Sequence, residues 1–262
     1  MQQKTPNFDT SASTYDATFT LVAVGATQRK QVYRLLENTG FFKDNTKVFE
    51  INCGTGYDAA EFAKRGLQVY ATDFSKGMIA EAQKKRPKAI QFEVLDCKET
   101  HLHHNFLKSD ILFSNFGGLN CLSPKELDAF IVNIAKNQST SKQIAWVIMP
   151  KICFVESVYF LFKGAFSKIF RRNTAEALKV HVDGVYIPTY YHSPSHLRKA
   201  LAPYYDVKLI QTVAFFTPPS YMDNLFSKRK ELLNFLYKCD KLFGKILPAS
   251  WSDHYIIIAK RK

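Results

Sequence analysis

The stretch that decides the fold is Val48-Phe49-Glu50-Ile51-Asn52-Cys53-Gly54-Thr55-Gly56-Tyr57-Asp58. Its apolar first half predicts a buried β-strand, and its glycines predict a tight turn before a helix that begins near Asp58. Because Gly54 and Gly56 lack side chains, a ligand can lie close to the main-chain N–H groups of this turn. Such a turn is typical of nucleotide-type cofactor sites, but by itself it does not specify the cofactor.

A second strand that ends in an acid follows the glycine turn. Residues 67–72 predict this strand, and Asp73 follows about twenty residues after the turn, where a carboxylate can accept hydrogen bonds from two ribose hydroxyls. Strand and helix patterns then alternate as in a parallel sheet. We predict strands at 48–52, 67–72, 89–95, 110–114, 142–149, 205–216 and 253–259, and helices at 25–38, 58–65, 76–86, 124–137, 196–202 and 224–243.

Three motifs in this half resemble the consecutive cofactor motifs of class I S-adenosylmethionine-dependent methyltransferases. They are Glu50-x-Asn52-Cys53-Gly54-Thr55-Gly56, Asp73-Phe74-Ser75-x-x-Met78 and Val94-Leu95-Asp96-Cys97. The resemblance implies an α/β, Rossmann-like fold with a seven-stranded, mostly parallel sheet, an antiparallel last strand and helices on both faces. Two further segments depart from this pattern, and we predict that they are helical insertions that form a lid. The resemblance also implies S-adenosyl-L-methionine as cofactor and S-adenosyl-L-homocysteine as product.

The same resemblance implies roles for individual residues. Glu50 would orient the glycine turn or the methionine amino group, Asp73 would bind the ribose, and Asp96 with Cys97 would contact the adenine. Asn52 replaces the first glycine of the family's turn, and asparagine is the non-glycine residue that best tolerates positive φ. The predicted cofactor residues are Tyr15, Glu50, Asn52, Cys53, Gly54, Thr55, Gly56, Asp73, Phe74, Ser75, Met78, Asp96, Cys97, Asn115 and Phe116.

We interpret residues 1–262 as a single methyltransferase domain. Residues 1–24 would be an N-terminal lid segment and residues 25–150 the cofactor-binding core. Helical insertions at 151–190 and 217–252 would leave the fifth and sixth strands at their carboxyl ends, where ligands of parallel sheets bind. We therefore predict that both insertions form the acceptor pocket. The first carries an apolar stripe at helical spacing over residues 152–172, which predicts an amphipathic helix or helix pair.

Methyl transfer depends on a dry, aligned pocket more than on a strong acid or base, so the acceptor site has no fixed signature. A hydroxyl acceptor would gain from a base, and we select His254, His192 and Tyr191 as candidate catalytic residues. We predict no metal site, because the histidines at 101, 103 and 104 lack added cysteine or acidic ligands at metal spacing.

The charge of the chain is uneven. Residues 1–150 carry 18 basic and 15 acidic side chains, whereas residues 151–262 carry 18 and 8. The basic second half indicates an acidic partner, such as a carrier protein, an anionic membrane surface or nucleic acid. Scattered cysteines and an N-terminus without an apolar signal-type core predict a cytoplasmic protein. The oligomeric state cannot be read from the pattern.

We predict an enzyme that methylates a hydrophobic or aromatic small molecule, with oxygen as the acceptor atom, similar to bacterial enzymes of secondary-metabolite type. The fourth strand ends Ser114-Asn115-Phe116-Gly117-Gly118 and lacks the Asn-Pro-Pro-aromatic tetrad of amino-methylating nucleic-acid enzymes. An RNA or DNA methyltransferase is therefore the second hypothesis. A non-catalytic or membrane-associated cofactor-binding protein, with residues 152–172 on anionic lipid, is the third.

Overall fold

A computed structural model describes residues 8–137, 142–182 and 185–262. Helices and strands alternate along the first half, as the sequence predicts. In chain order the elements are α1 (Ala23–Asn38), β1 (Lys47–Ile51), α2 (Tyr57–Lys64), β2 (Gln68–Asp73), α3 (Lys76–Lys85), β3 (Gln91–Val94), α4 (His104–Leu107), β4 (Ile111–Ser114), α5 (Pro124–Asn137), β5 (Gln143–Ile148), α6 (Phe154–Phe162), β6 (Leu178–Val182), β7 (Val185–Thr189), α7 (Pro194–Leu201), β8 (Tyr205–Val213), α8 (Asp223–Phe226), α9 (Lys230–Phe243) and β9 (His254–Arg261).

Seven strands form one sheet in the order β3-β2-β1-β4-β5-β9-β8. Strands β1 to β5 are parallel, and β9 runs antiparallel to both of its neighbours, β5 and β8. The predicted Rossmann-like sheet with an antiparallel last strand is confirmed. Strand order reverses between β1 and β4, and ligands of open α/β sheets bind at the carboxyl ends of the strands beside this point.

Both faces of the sheet are covered by helices. On one face α5 and α7 pack over Trp146 and Tyr255, and on the other α1 and α2 pack over Phe113 and Ile256. Because both faces are apolar, the central strands are fully buried, as expected for parallel strands. Among the described residues, none of the helices is both long and apolar enough to cross a bilayer.

The insertion after β5 differs from the predicted helical segment. Helix α6 ends at Phe162, and Gly164 follows in the left-handed conformation with φ +67°, which is a common way for helices to stop. Residues 178–189 form an antiparallel β-hairpin, β6–β7, where a helical insertion was predicted. Alternation of Val180 and Val182 with polar neighbours has the period of a strand, and the longer aromatic stripe before it hid this signal.

Candidate functional site

A cavity of about 240 Å³ lies where β1, β2, β3 and β4 end. Its wall consists of the segments that directly follow these strands, together with the N-terminal segment, helix α1 and strand β7. Most of the predicted cofactor residues line it, whereas Glu50 and Gly56 do not. The lining members of the predicted set are Tyr15, Asn52, Cys53, Gly54, Thr55, Asp73, Phe74, Ser75, Met78, Asp96, Cys97, Asn115 and Phe116.

The turn after β1 has three residues in the left-handed region, with φ of +56° at Asn52, +54° at Gly54 and +70° at Gly56. Asparagine at the first of these positions keeps the turn, as predicted from its tolerance of positive φ. Gly56 faces away from the cavity, since a Cβ there would lie 2.5 Å from the ring of Phe92. The absence of a side chain at Gly56 therefore allows α3 and β3 to pack close to the turn.

Asp73, at the end of β2, forms hydrogen bonds that connect the glycine turn with this strand. Its Oδ2 accepts a hydrogen bond from the Gly54 N–H at 2.9 Å, and its Oδ1 accepts one from the Ser75 N–H at 2.9 Å. Burial raises the pKa of this carboxyl, while the two backbone hydrogen bonds partly oppose the shift. Asp73 also lines the cavity, and a carboxylate oxygen can accept more than one hydrogen bond.

Glu50 lies under the floor of the turn, with only 1% of its surface exposed. Its Oε2 has no hydrogen-bond partner in the described part of the chain. Burial, with the nearby charge of Asp58, raises its pKa well above the usual range. A buried acceptor without a partner is unusual in folded proteins.

A buried cluster that the sequence analysis missed closes one end of the cavity. Arg29 donates to both carboxylate oxygens of Asp58, from Nε at 2.8 Å and from Nη2 at 3.2 Å. Asn115 Nδ2 and the Tyr33 hydroxyl also donate to Asp58. Arg29, Asp58 and Asn115 all line the cavity. The sequence offered one indication of this cluster: the segment 48–58 ends in Asp58, an acid in the first turn of a helix.

Phe116 forms part of the same cavity wall, and its backbone conformation is strained. Its φ is +43°, an uncommon value for a residue with a large side chain, and Asn115 Oδ1 accepts its N–H at 2.9 Å. The guanidinium of Arg29 lies 4.6 Å from the centre of its ring. Backbone strain of this kind clusters at functional sites.

The N-terminal segment closes over the cavity and is held at two points. Asp9 Oδ1 accepts from Ser75 Oγ at 2.6 Å and from the Gly77 N–H at 2.8 Å. Asp16 Oδ1 accepts from Thr55 Oγ1 at 2.5 Å, and its Oδ2 accepts from Arg86 Nη2 at 2.6 Å. The ring of Tyr15 lies between these points, beside Phe8 and Phe19, and burial raises its pKa.

The structure does not place the three predicted catalytic residues on the cavity wall. His192 Nε2 lies 3.1 Å from the carbonyl oxygen of Leu122, and burial lowers its pKa to about 4, so a neutral imidazole makes this contact. Tyr191 is buried under the guanidinium of Arg172, 5.2 Å from the ring centre. Both side chains support the fold around β7 and α7, a role that their sequence context did not reveal.

His254 lies behind Phe116, with ring centroids 5.4 Å apart and the rings nearly perpendicular. Its Nδ1 is 3.0 Å from Oδ2 of Asp253, close enough for an ion pair but not aligned for a hydrogen bond. Burial opposes ionisation of Asp253, but His254 and Arg172 outweigh it and hold the pKa of this carboxyl well below its usual range.

The two insertions contribute unequally to the cavity. Ile187 and Pro188 of β7 line it, whereas none of the described residues in 217–252 does. Helix α9 packs beside α1 instead, where Gln31 Nε2 donates to Asp240 Oδ2 at 2.9 Å. The structure therefore differs from the prediction that both insertions surround this cavity. No group of metal-binding side chains large enough to hold an ion occurs within the described ranges.

Comparisons with known proteins agree with this geometry. Residues 48–138 match the methyltransferase domain family. A demethylmenaquinone methyltransferase from Renibacterium salmoninarum is 30% identical over 129 residues, which are 49% of this chain and 52% of that protein. The biotin biosynthesis bifunctional protein of Cellvibrio japonicus is 29% identical over 109 residues, 42% of this chain and 20% of that protein. The chain thus spans about half, or less, of the length of these curated relatives.

Solved structures share the whole architecture at low sequence identity. A magnesium protoporphyrin IX methyltransferase from Synechocystis PCC 6803 with bound S-adenosyl-L-homocysteine has a TM-score of 0.56 and 16% identity, covering 92% of this chain and 86% of its own. An S-adenosylmethionine-dependent methyltransferase from Listeria monocytogenes has a TM-score of 0.60 and 14% identity, covering 90% and 97%. The chain thus shares the fold of solved S-adenosylmethionine-dependent methyltransferases, and its residues 48–138 match the methyltransferase domain family.

Proposed function

We propose that this protein transfers a methyl group from S-adenosyl-L-methionine to oxygen of an apolar, aromatic small molecule. The observation that carries the proposal is the convergence of the glycine turn, Asp73, Asp96 and Asn115 on one cavity at the carboxyl ends of the strands. The cofactor supplies an electrophilic methyl group on a sulfonium and leaves as S-adenosyl-L-homocysteine. Solved structures of a magnesium protoporphyrin IX methyltransferase, which share this fold, contain bound S-adenosyl-L-methionine or S-adenosyl-L-homocysteine.

The chemistry of the donor and acceptor groups fits this cofactor. Asp73 retains lone pairs for ribose hydroxyls, and the Gly54 turn leaves room for close approach to the main chain. Glu50 lies beneath the turn and does not line the cavity, so it would act on the cofactor by orienting the glycine turn. Asp96 and Cys97, which line the cavity after β3, would contact the adenine.

The role of the chain in the reaction is to hold the reactants in line and exclude water. A sulfonium charge disperses in the transition state of an in-line displacement, so a dry pocket lowers the barrier without a strong base. Aromatic rings at Phe8, Tyr15 and Phe116, all on the cavity wall, suit this task. The segment that carries Tyr15 is held by Asp9 and Asp16 and would shield the reacting atoms from solvent.

The acceptor class follows from the apolar part of the wall. Phe116, Ile187 and Pro188 offer apolar surface in the cavity, which favours a flat or lipophilic molecule. Two of the similar proteins, a demethylmenaquinone methyltransferase and a magnesium protoporphyrin IX methyltransferase, are named for small-molecule substrates.

His254 would act by positioning Phe116, not by removing a proton, because Phe116 lies on the wall and His254 lies behind it. With an acceptor identified, His254→Ala should raise KM several-fold and leave the pH profile of kcat unchanged. Loss of one ionisation from that profile would instead identify His254 as the base.

Calorimetry with S-adenosyl-L-homocysteine tests the cofactor assignment. We expect one-site binding to the wild type and a loss of about 10- to 100-fold in Asp73→Asn, because hydrogen bonds to a charged group contribute about 1.5–3 kcal/mol. Asp206→Asn, at an exposed acid on β8, is the matched control and should bind normally. Thermal unfolding of each variant shows whether the glycine turn has been disturbed. A wild type that does not bind the ligand would contradict the proposal.

Labelled S-adenosylmethionine distinguishes the acceptor classes. Incubation with a panel of phenols and quinols should move the label into the organic phase. Transfer of label to RNA, with binding that weakens steeply as salt rises, would favour the nucleic-acid hypothesis instead.

A further inference from the structure

The two insertions expose large apolar side chains that no other described part of the molecule covers. Phe162, the last residue of α6, is 85% exposed, and Phe166 in the following segment is 68% exposed. In the insertion after β8, Leu242 is 72% and Ile246 80% exposed. Single exposed apolar residues are ordinary, but contiguous groups of them mark sites of interaction.

Helix α9 shows the pattern most clearly. Leu233, Tyr237 and Asp240 face the protein and are buried. At 100° per residue, Leu232, Phe235 and Leu242 lie on the opposite side, which is exposed. The helix therefore has two apolar stripes, and its own domain covers only one of them.

Basic side chains flank the uncovered stripe. Lys238, Lys241 and Lys245 are exposed beside it, as Lys163 and Lys168 are beside the exposed rings that follow α6. None of these five lysines has an ion-pair partner in the part of the chain that the structure describes. The charges of these five lysines, part of the excess of ten in residues 151–262, are thus available to an anionic partner.

The first insertion touches the start of the second, near Tyr221. The guanidinium of Arg171 lies 5.4 Å from the ring centre of Phe160 and 5.6 Å from that of Tyr221. Phe154 stacks on Phe215 at 5.2 Å. We call the exposed set the apolar-basic face: Leu161, Phe162, Lys163, Phe166, Lys168, Phe170, Leu232, Phe235, Lys238, Lys241, Leu242, Lys245 and Ile246.

We propose that the apolar-basic face docks this protein on an anionic lipid bilayer. Aromatic and aliphatic side chains enter the boundary between headgroups and acyl chains, while lysines bind the anionic headgroups. Nucleic acid would use the lysines but would leave Ile246, Leu242 and Leu232 in water. An acidic protein would require an acidic surface that also carries an apolar groove, whereas a bilayer offers both features without a fixed shape.

Vesicle flotation with the full chain tests this inference. The probe is a vesicle of equal parts phosphatidylglycerol and phosphatidylcholine, with pure phosphatidylcholine for comparison. We expect the wild type to float with the anionic vesicles, and Lys238→Glu/Lys241→Glu/Lys245→Glu to lose on the order of 100-fold in partition coefficient, since each lysine near such a surface contributes about fivefold. The matched control is Lys43→Glu/Lys88→Glu/Lys108→Glu. It makes the same charge change at exposed lysines that precede β1, β3 and β4, at the amino ends of these parallel strands, and should bind like the wild type.

A second variant tests the apolar half of the face. Phe162→Ser/Phe235→Ser/Ile246→Ser changes exposed side chains only, so folding and S-adenosyl-L-homocysteine binding should stay normal while vesicle binding falls by at least about tenfold. Either of two results would overturn the proposal. One is a wild type that remains unbound with both vesicle types. The other is a serine variant whose sedimentation shows loss of a dimer while its vesicle binding is unchanged, which would assign the face to a second copy of the chain.

Discussion

Around the glycine turn, polar contacts join neighbouring strand ends, whereas in the second half they join segments far apart in the chain. Asp73 bonds to Gly54, 19 residues away, and to Ser75, 2 residues away. Asp240 bonds to Gln31 across 209 residues, and Asp253 to Gln28 across 225. The cofactor edge is thus built from local motifs, while the insertions are held to the sheet by long-range buried polar contacts. A substitution at the glycine turn should therefore not abolish the function of the insertions, and a substitution in the insertions should not abolish cofactor binding.

The largest expected effect lies in the second half, at Arg172. Its guanidinium donates to Glu156 at 2.6 Å and to Asp253 at 2.7 Å, and all three side chains are buried. Arg172→Met would remove the buried cation that Glu156 and Asp253 share, leaving only Arg171 beside Glu156 and His254 beside Asp253. It should lower the free energy of unfolding by about 3–5 kcal/mol, as measured by urea denaturation. Lys168→Met, an exposed cation of the same insertion, should stay within about 0.5 kcal/mol of the wild type. If Arg172→Met were equally mild, the long-range ion pairs would not be what holds the insertion.

Two glycines with similar backbone angles separate the regions further. Gly56→Ala places a Cβ 2.5 Å from the ring of Phe92 at φ +70°, and strain and overpacking together should cost about 2–4 kcal/mol. Gly164→Ala, at φ +67° in the first insertion, meets nothing within 4 Å and should cost only the backbone term of about 1–2 kcal/mol. Equal urea midpoints for the two variants would refute the close packing inferred at the glycine turn.

His192 gives the stability of the second half a pH dependence. Its folded pKa of about 4 lies below the unfolded value of about 6.5, so the unfolded chain binds more protons between these limits. Stability should therefore fall as pH drops from 6.5 to 4, by about 2–3 kcal/mol from this group. In His192→Gln that part of the slope should vanish, which urea titrations across the window would reveal. An unchanged slope would mean that the imidazole is not held neutral against Leu122.

The smallest effect is expected at the N-terminal segment. Asp16→Asn removes the charge that pairs with Arg86 and should cost about 1 kcal/mol, while weakening S-adenosyl-L-homocysteine binding about fivefold. Calorimetry and limited proteolysis of residues 8–20 would record both changes. Unaltered proteolysis together with unaltered affinity would argue against a role of this contact in closing the cavity.

The contrast between the regions also explains what could be predicted from sequence. Gly54, Asp73 and Asp96 follow predicted strands directly, so parallel pairing alone brings them to one edge. Arg29 could not be placed in the same way, because its contact with Asp58 depends on how α1 packs against α2. Spacing does not indicate which way a side chain faces, and so Gly56 was assigned to the cavity although it packs on Phe92.

In the second half, residue type was a weaker guide. His192 and Tyr191 resemble catalytic side chains in sequence, but burial against Leu122 and Arg172 gives them structural contacts. The β6–β7 hairpin was missed because aromatic residues at helical spacing precede it. Helix α9 carries one apolar stripe that is buried and one that is exposed. Both stripes have helical spacing, so the periodicity of the sequence does not show which of them faces the core.

Hydrogen–deuterium exchange with two added partners tests most directly the claim that the two regions serve different partners. We predict that S-adenosyl-L-homocysteine protects peptides covering residues 8–20, 52–58 and 72–78 and leaves 230–246 unchanged. Anionic vesicles should protect 161–170 and 230–246 and leave the glycine turn unchanged. Protection of the α9 peptides by the nucleoside ligand, or no protection of the glycine turn by it, would contradict this division.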